Sequence, residues 1–114
     1  MNAEKRVRLR GGLADTATWA TIGDDGGLVI DLYDYSDDAQ LFFGHDVAFL
    51  LHLSAAAKDR MLARLLVQAQ AARTPDNDSL LLELLEQRFE DYYAVQQWLN
   101  DEGIPFRKEF NRWA

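Results

Sequence analysis

A chain of 114 residues with 48% apolar and 27% charged side chains has the length and mix of one globular domain, which excludes a disordered tail, a collagen-like fibre and a low-complexity linker. Having no cysteine, it has no disulfide, no thiolate metal site and no thiol nucleophile. A net charge of −7 repels phosphate backbones, which argues against nucleic-acid binding, and favours a basic partner.

The first half reads as strands. Val7-Arg8-Leu9-Arg10 alternates apolar and basic residues, the period of a half-exposed strand, and Gly11-Gly12 breaks it. Residues 17–22 are rich in strand formers, and Gly23-Asp24-Asp25-Gly26-Gly27 follows as a hairpin-like turn. In the next strand, residues 28–35, Leu28, Ile30 and Leu32 share one face, and Val29, Asp31, Tyr33 and Tyr35 share the other. Residues 36–46 read as a loop containing an extended piece, residues 40–43. Residues 47–53 form the strongest strand, with Val47, Phe49, Leu51 and Leu53 on one side and Ala48, Leu50 and His52 on the other. Both faces are largely apolar, which predicts a central position.

The period then changes. Ser54 is placed to cap a helix starting at Ala55, in which Met61, Leu62, Leu65, Leu66 and Ala69 make one stripe. Residues 74–78 form a linker, and Asp78 or Ser79 is expected to cap a second helix whose buried face is Leu81, Leu84, Leu85 and Phe89. A third helix, about 92–102, turns Val95, Trp98 and Leu99 inward; Gly103 suits its left-handed end and Pro105 stops it. Residues 106–113 alternate as a last strand would, with an ordered tail as the alternative. Strands and then helices in blocks predict an α+β domain over residues 1–114, with a four- or five-stranded mainly antiparallel sheet and two or three helices packed on one face. The other face is partly polar and is free to hold a partner site.

Charge is unevenly placed. Residues 1–10 carry a net +3, residues 11–57 carry −8 with no lysine or arginine, residues 58–73 carry +3, residues 74–103 carry −7 and the remainder +2. Lys5, Arg6, Arg8 and Arg10 are expected to pair with aspartates of a neighbouring strand. Asp31, Asp34, Asp37 and Asp38 cluster within eight residues, with Asp46 beyond. Their spacing does not match the calcium loop, which places acids at its first, third and fifth positions and a glutamate at the twelfth. Asp31 and Asp34 fall on opposite faces of a strand, so they are not an acid–base pair. Asp31, Tyr33 and Tyr35 on one face suit recognition instead, because tyrosine offers a large rigid surface with a polar tip.

Other chemistries lack their residues. His45 precedes Asp46 at a loop-to-strand junction and His52 sits among apolar neighbours, where one hydrogen bond is expected. No serine lies in a G-x-S-x-G elbow, and no glycine segment has a phosphate-binding spacing. Trp113 is a further candidate anchor. No cofactor, metal site or catalytic residue is assigned. Met1 to Gly12 is charged and then glycine-rich, which predicts no secretory leader. No apolar run approaches the roughly 20 residues that span a bilayer. A cytoplasmic location without membrane association is the expectation.

The residues 31–35 (DLYDY), Phe43-Gly44-His45-Asp46 running into an apolar strand, and Trp98-Leu99 before Gly103-Ile104-Pro105-Phe106 resemble a type of small acidic bacterial α+β protein similar to the immunity proteins of toxin systems. That resemblance implies a protein that binds a basic toxin, often a nuclease, and occludes its active site. The expected partner surface is Asp31, Tyr33, Asp34, Tyr35, Asp37 and Asp38. Two other classes remain open: a small Asp/His-dependent or metal-dependent hydrolase, and a self-associating regulatory domain such as a homodimer joined at a strand edge.

Overall fold

The computed structural model describes residues 5–11, 16–35, 47–72 and 75–112. Their order is β1 (Lys5–Leu9), β2 (Thr16–Ile22), β3 (Leu28–Asp34), β4 (Val47–Leu53), α1 (Ala55–Ala69), α2 (Asn77–Arg88), α3 (Tyr92–Glu102) and β5 (Arg107–Arg112). Each strand lies beside its sequence neighbour in one sheet of order β1-β2-β3-β4-β5, antiparallel throughout. The protein is thus an α+β domain with five strands and three helices among its described residues. The strong apolar strand, β4, is paired on both sides, although β3 occupies the middle of the sheet.

Register explains which face is buried. Leu9 pairs with Thr18, Thr18 with Leu32 and Leu32 with Phe49. One step along, Val7, Ala20, Ile30 and Leu51 line up in the same way. Leu9, Thr18, Ala20, Ile30, Leu32 and Leu51 are all buried, and the helices pack on this side. From α1 come Met61, Leu62, Leu65 and Leu66; from α2, Leu81, Leu82, Leu84 and Leu85; from α3, Val95, Trp98 and Leu99. Ala69, placed in the α1 stripe by its spacing, is exposed at the last residue of the helix.

Local chemistry sets the boundaries. Ser54 caps α1, its hydroxyl accepting the Ala57 N–H at 3.1 Å. The cap of α2 is Asp76, not the expected Asp78 or Ser79. An N-cap oxygen must reach the N–H three residues on, and Asp76 accepts the Ser79 N–H at 3.0 Å. Asp78 falls in the first turn, where a negative charge suits the helix dipole, and it accepts from the Lys58 ammonium at 2.8 Å. Phe89, in extended conformation, separates α2 from α3, and Asp91 caps α3 through the Ala94 N–H at 3.0 Å. Gly103 closes α3 at φ 68°, a left-handed conformation that glycine adopts without a Cβ clash. The chain then enters β5, which the alternation of residues 106–113 anticipates.

Candidate functional site

The strand residues between the buried ones point to the opposite face, and no described helix lies on it. Register aligns Arg8, Trp19, Asp31, Leu50 and Glu109 across it in one row. Arg6, Thr21, Val29, His52 and Arg107 make a second row. Ala17, Tyr33, Ala48 and Asn111 make a third. Trp19, Asp31, Tyr33, Leu50 and His52 are half-buried, Arg6, Arg8 and Arg107 are exposed, and Ala48 is buried. The face is therefore a mixed field of rings and charges, basic along β1.

Asp31 and Tyr33 share this face as their alternation requires. Tyr35 lies just past the end of β3, with its ring centroid 5.7 Å from that of Tyr33 and 44% of its surface exposed. Asp34 pairs in register with Thr16 and Val47 and belongs to the helix side at the end of the strand. It does not share a face with Asp31 and Tyr33. Asp37, Asp38, His45, Asp46, Trp113 and the extended piece at 40–43 lie outside the described residues.

The basic residues of β1 are arranged differently from expectation. Lys5 pairs with Asp76 at 3.2 Å and Arg10 with Glu86 at 3.3 Å, both on the α2 segment rather than on a neighbouring strand. The Arg6 guanidinium lies 4.0 Å from the centroid of the Trp19 ring, and that of Arg8 lies 5.9 Å away. A cation over an indole face is held by the ring's negative quadrupole. Residues on neighbouring strands need no particular sequence spacing to meet, so only the register reveals these contacts.

The pKa of the Asp76 carboxyl is strongly lowered. The Ser79 amide, then the Ser79 hydroxyl and then the Lys5 ammonium hold its carboxyl at about 2, against an ordinary 3.8. Burial raises the Tyr92 phenol above its ordinary 10.0, with a smaller push from Tyr93. Both are explained by capping and packing.

The enzyme alternatives find little geometry. His52 faces Glu109 across the β4–β5 pair, Nε2 to Oε1 at 2.7 Å, the single bond expected for it. A cavity of about 400 Å³ beside them is lined by His52, Ser54 and Arg107, with Asp25 and Gly27 of the turn, the start of β3 and Pro105-Phe106. Among the described residues no hydrogen bond joins His52 to a serine, and the Ser54 oxygen serves as a helix cap. No group of three or more His, Asp or Glu suited to a metal ion occurs among them. No described helix is long and apolar enough to cross a membrane. Comparison of the chain with protein-family models, with curated proteins and with solved structures returns no match.

Proposed function

We propose that the protein is a protein-binding module that masks a basic surface of its partner, the mode of action of an immunity protein. The observation that carries this reading is the Asp31–Tyr33–Tyr35 group: a carboxylate and two touching rings at a sheet face without a described helix, with Tyr35 44% exposed. Tyrosines in such a position serve as anchors, because they bury large area for little lost rotamer freedom. The net charge of −7 then speeds encounter with a basic partner and confers salt sensitivity. Asp37 and Asp38 follow Tyr35 two and three residues on in the sequence and belong to the same proposed surface. Asp34 contributes to the field from the other face rather than as a contact.

The test is binding of the captured partner to Asp31→Asn and Tyr35→Ala variants over a range of salt. Tyr35→Ala is expected to weaken binding by roughly tenfold, mainly by faster dissociation. Asp31→Asn is expected to slow association and flatten the salt dependence. Unchanged binding by both variants overturns the choice of surface.

A further inference from the structure

We propose that the outer edge of β1 is a docking strip for an extended acidic segment of another protein, which adds a strand to the sheet and sets two carboxylates, two residues apart, against Arg6 and Arg8. This inference does not rest on the Asp31–Tyr35 surface, and it calls for acidic rather than basic chemistry in the segment bound.

β1 is the terminal strand of the sheet, and among the described residues no strand pairs with its outer edge. An open edge offers backbone donors and acceptors to an incoming strand. The basic side chains along it fall into two sets. Lys5 and Arg10 are occupied by Asp76 and Glu86. Arg6 and Arg8 are exposed, and both lie on the open face over one indole, at 4.0 and 5.9 Å from the Trp19 centroid. Trp19 thus holds two cations in place before any ligand arrives, which lowers the entropy lost on binding.

Strand geometry then dictates the ligand. A strand added beside β1 presents alternate side chains to the same face, about 6.6 Å apart at about 3.3 Å per residue. Two acids at i and i+2 meet Arg6 and Arg8, and opposite charges directly across a sheet stabilise the pairing. The residue between them falls on the helix side beside Val7, which is half-buried against the core, so an apolar residue fits there. The segment reads acid–apolar–acid.

A second copy of β1 fits poorly in the registers centred on residues 6–8. A two-fold antiparallel pairing that keeps the helices on one side opposes residues of the same face. Centred on Val7, it sets Arg6 against Arg8; centred on Arg6 or on Arg8, it sets that arginine against its twin. Like charges directly opposite are destabilising. A nucleic acid, the other anionic extended ligand, has no row of backbone amides and carbonyls to continue the ladder of β1.

The experiment titrates the full chain with synthetic peptides of about eight residues centred on Glu-Val-Glu, with Lys-Val-Lys and N-methylated Glu-Val-Glu peptides beside it, and with oligo-dT. Calorimetry and NMR shifts at Val7 and Trp19 read the binding. The expected result is that the Glu-Val-Glu peptide binds, that N-methylation of alternate amides weakens it about tenfold, and that Arg6→Glu/Arg8→Glu transfers preference to the Lys-Val-Lys peptide. Circular dichroism checks that this variant folds, and the milder Arg6→Gln/Arg8→Gln is expected to weaken the acidic peptide about tenfold. Four results overturn the proposal: no binding at about 1 mM peptide, which makes the arginines edge guards only; binding indifferent to the arginines; binding indifferent to N-methylation; or preference for oligo-dT.

Discussion

Replacing Thr18 with valine tests the seam between the sheet and the helical layer. Thr18 is 1% exposed in β2, and its hydroxyl oxygen accepts the N–H of Tyr92 at 3.2 Å. Tyr92 is the first residue of α3, and its N–H has no partner within the helix. Asp91 serves Ala94 with its side chain and Val95 with its carbonyl, so the cap leaves Tyr92 to the sheet. Valine matches threonine in shape but accepts nothing, so Thr18→Val strands a buried amide at a cost of about 1–3 kcal/mol. The added methyl returns about 0.8 kcal/mol at most. The net loss is about 0.2–2 kcal/mol, about 1–8 °C in Tm for a domain of this size. Thr18→Ser keeps the oxygen and loses only the methyl, about 1 kcal/mol. Urea unfolding followed by circular dichroism reads both, and NMR follows the Tyr92 amide. A Thr18→Val protein as stable as the unaltered chain, or more stable, refutes the reasoning, because burial alone then governs the position.

Other positions follow from the same packing. A Cβ on Gly11 meets the Glu90 Cβ at 2.6 Å and the Glu90 carbonyl oxygen at 2.8 Å, while the Gly11 N–H donates to that oxygen at 2.7 Å. Gly11→Ala is therefore expected to cost about 1–3 kcal/mol in a denaturant titration. Lys58, with a side chain 10% exposed, pairs with Asp78 at 31%. Asp78→Ala leaves a largely buried ammonium alone and is expected to cost about 1–3 kcal/mol, below the figure for deep burial because water reaches the pair. Lys58→Met fills the space with apolar atoms and leaves Asp78 at a helix N-terminus, so its cost is expected to be smaller on the same titration. Asp76 has a folded pKa of about 2 against an ordinary 3.8. Its stabilisation is present above about 3.8 and lost as pH falls through about 2, and Asp76→Asn is expected to flatten that acid dependence in unfolding scans.

Patterns that repeat along the chain were legible, and contacts between distant segments were not. Alternation of 2 placed β1, β3, β4 and β5, strand formers placed β2, and period changes at Ser54 and Gly103 placed the ends of α1 and α3. The start of α2 was ambiguous because 76–79 holds Asp, Asn, Asp and Ser in a row. Every one of them is a cap former, and only the reach of Asp76 to the Ser79 N–H decides among them. The faces of Asp31, Asp34 and Tyr33 followed from parity alone. Which side the helices cover followed from where the buried residues fall. Arg6 on Trp19, Lys5 on Asp76 and Thr18 on Tyr92 depend on register and layer packing, which no local spacing encodes.

The most direct test of the protein-binding reading is parallel capture from source-cell lysate on the unaltered protein and on an Asp31→Asn/Tyr35→Ala variant, washed in steps of rising salt, with mass spectrometry of each eluate. The account predicts one basic protein, held stoichiometrically by the unaltered chain and released from the variant at lower salt. No retained protein while the partner is verifiably expressed, or equal retention on both columns, contradicts it.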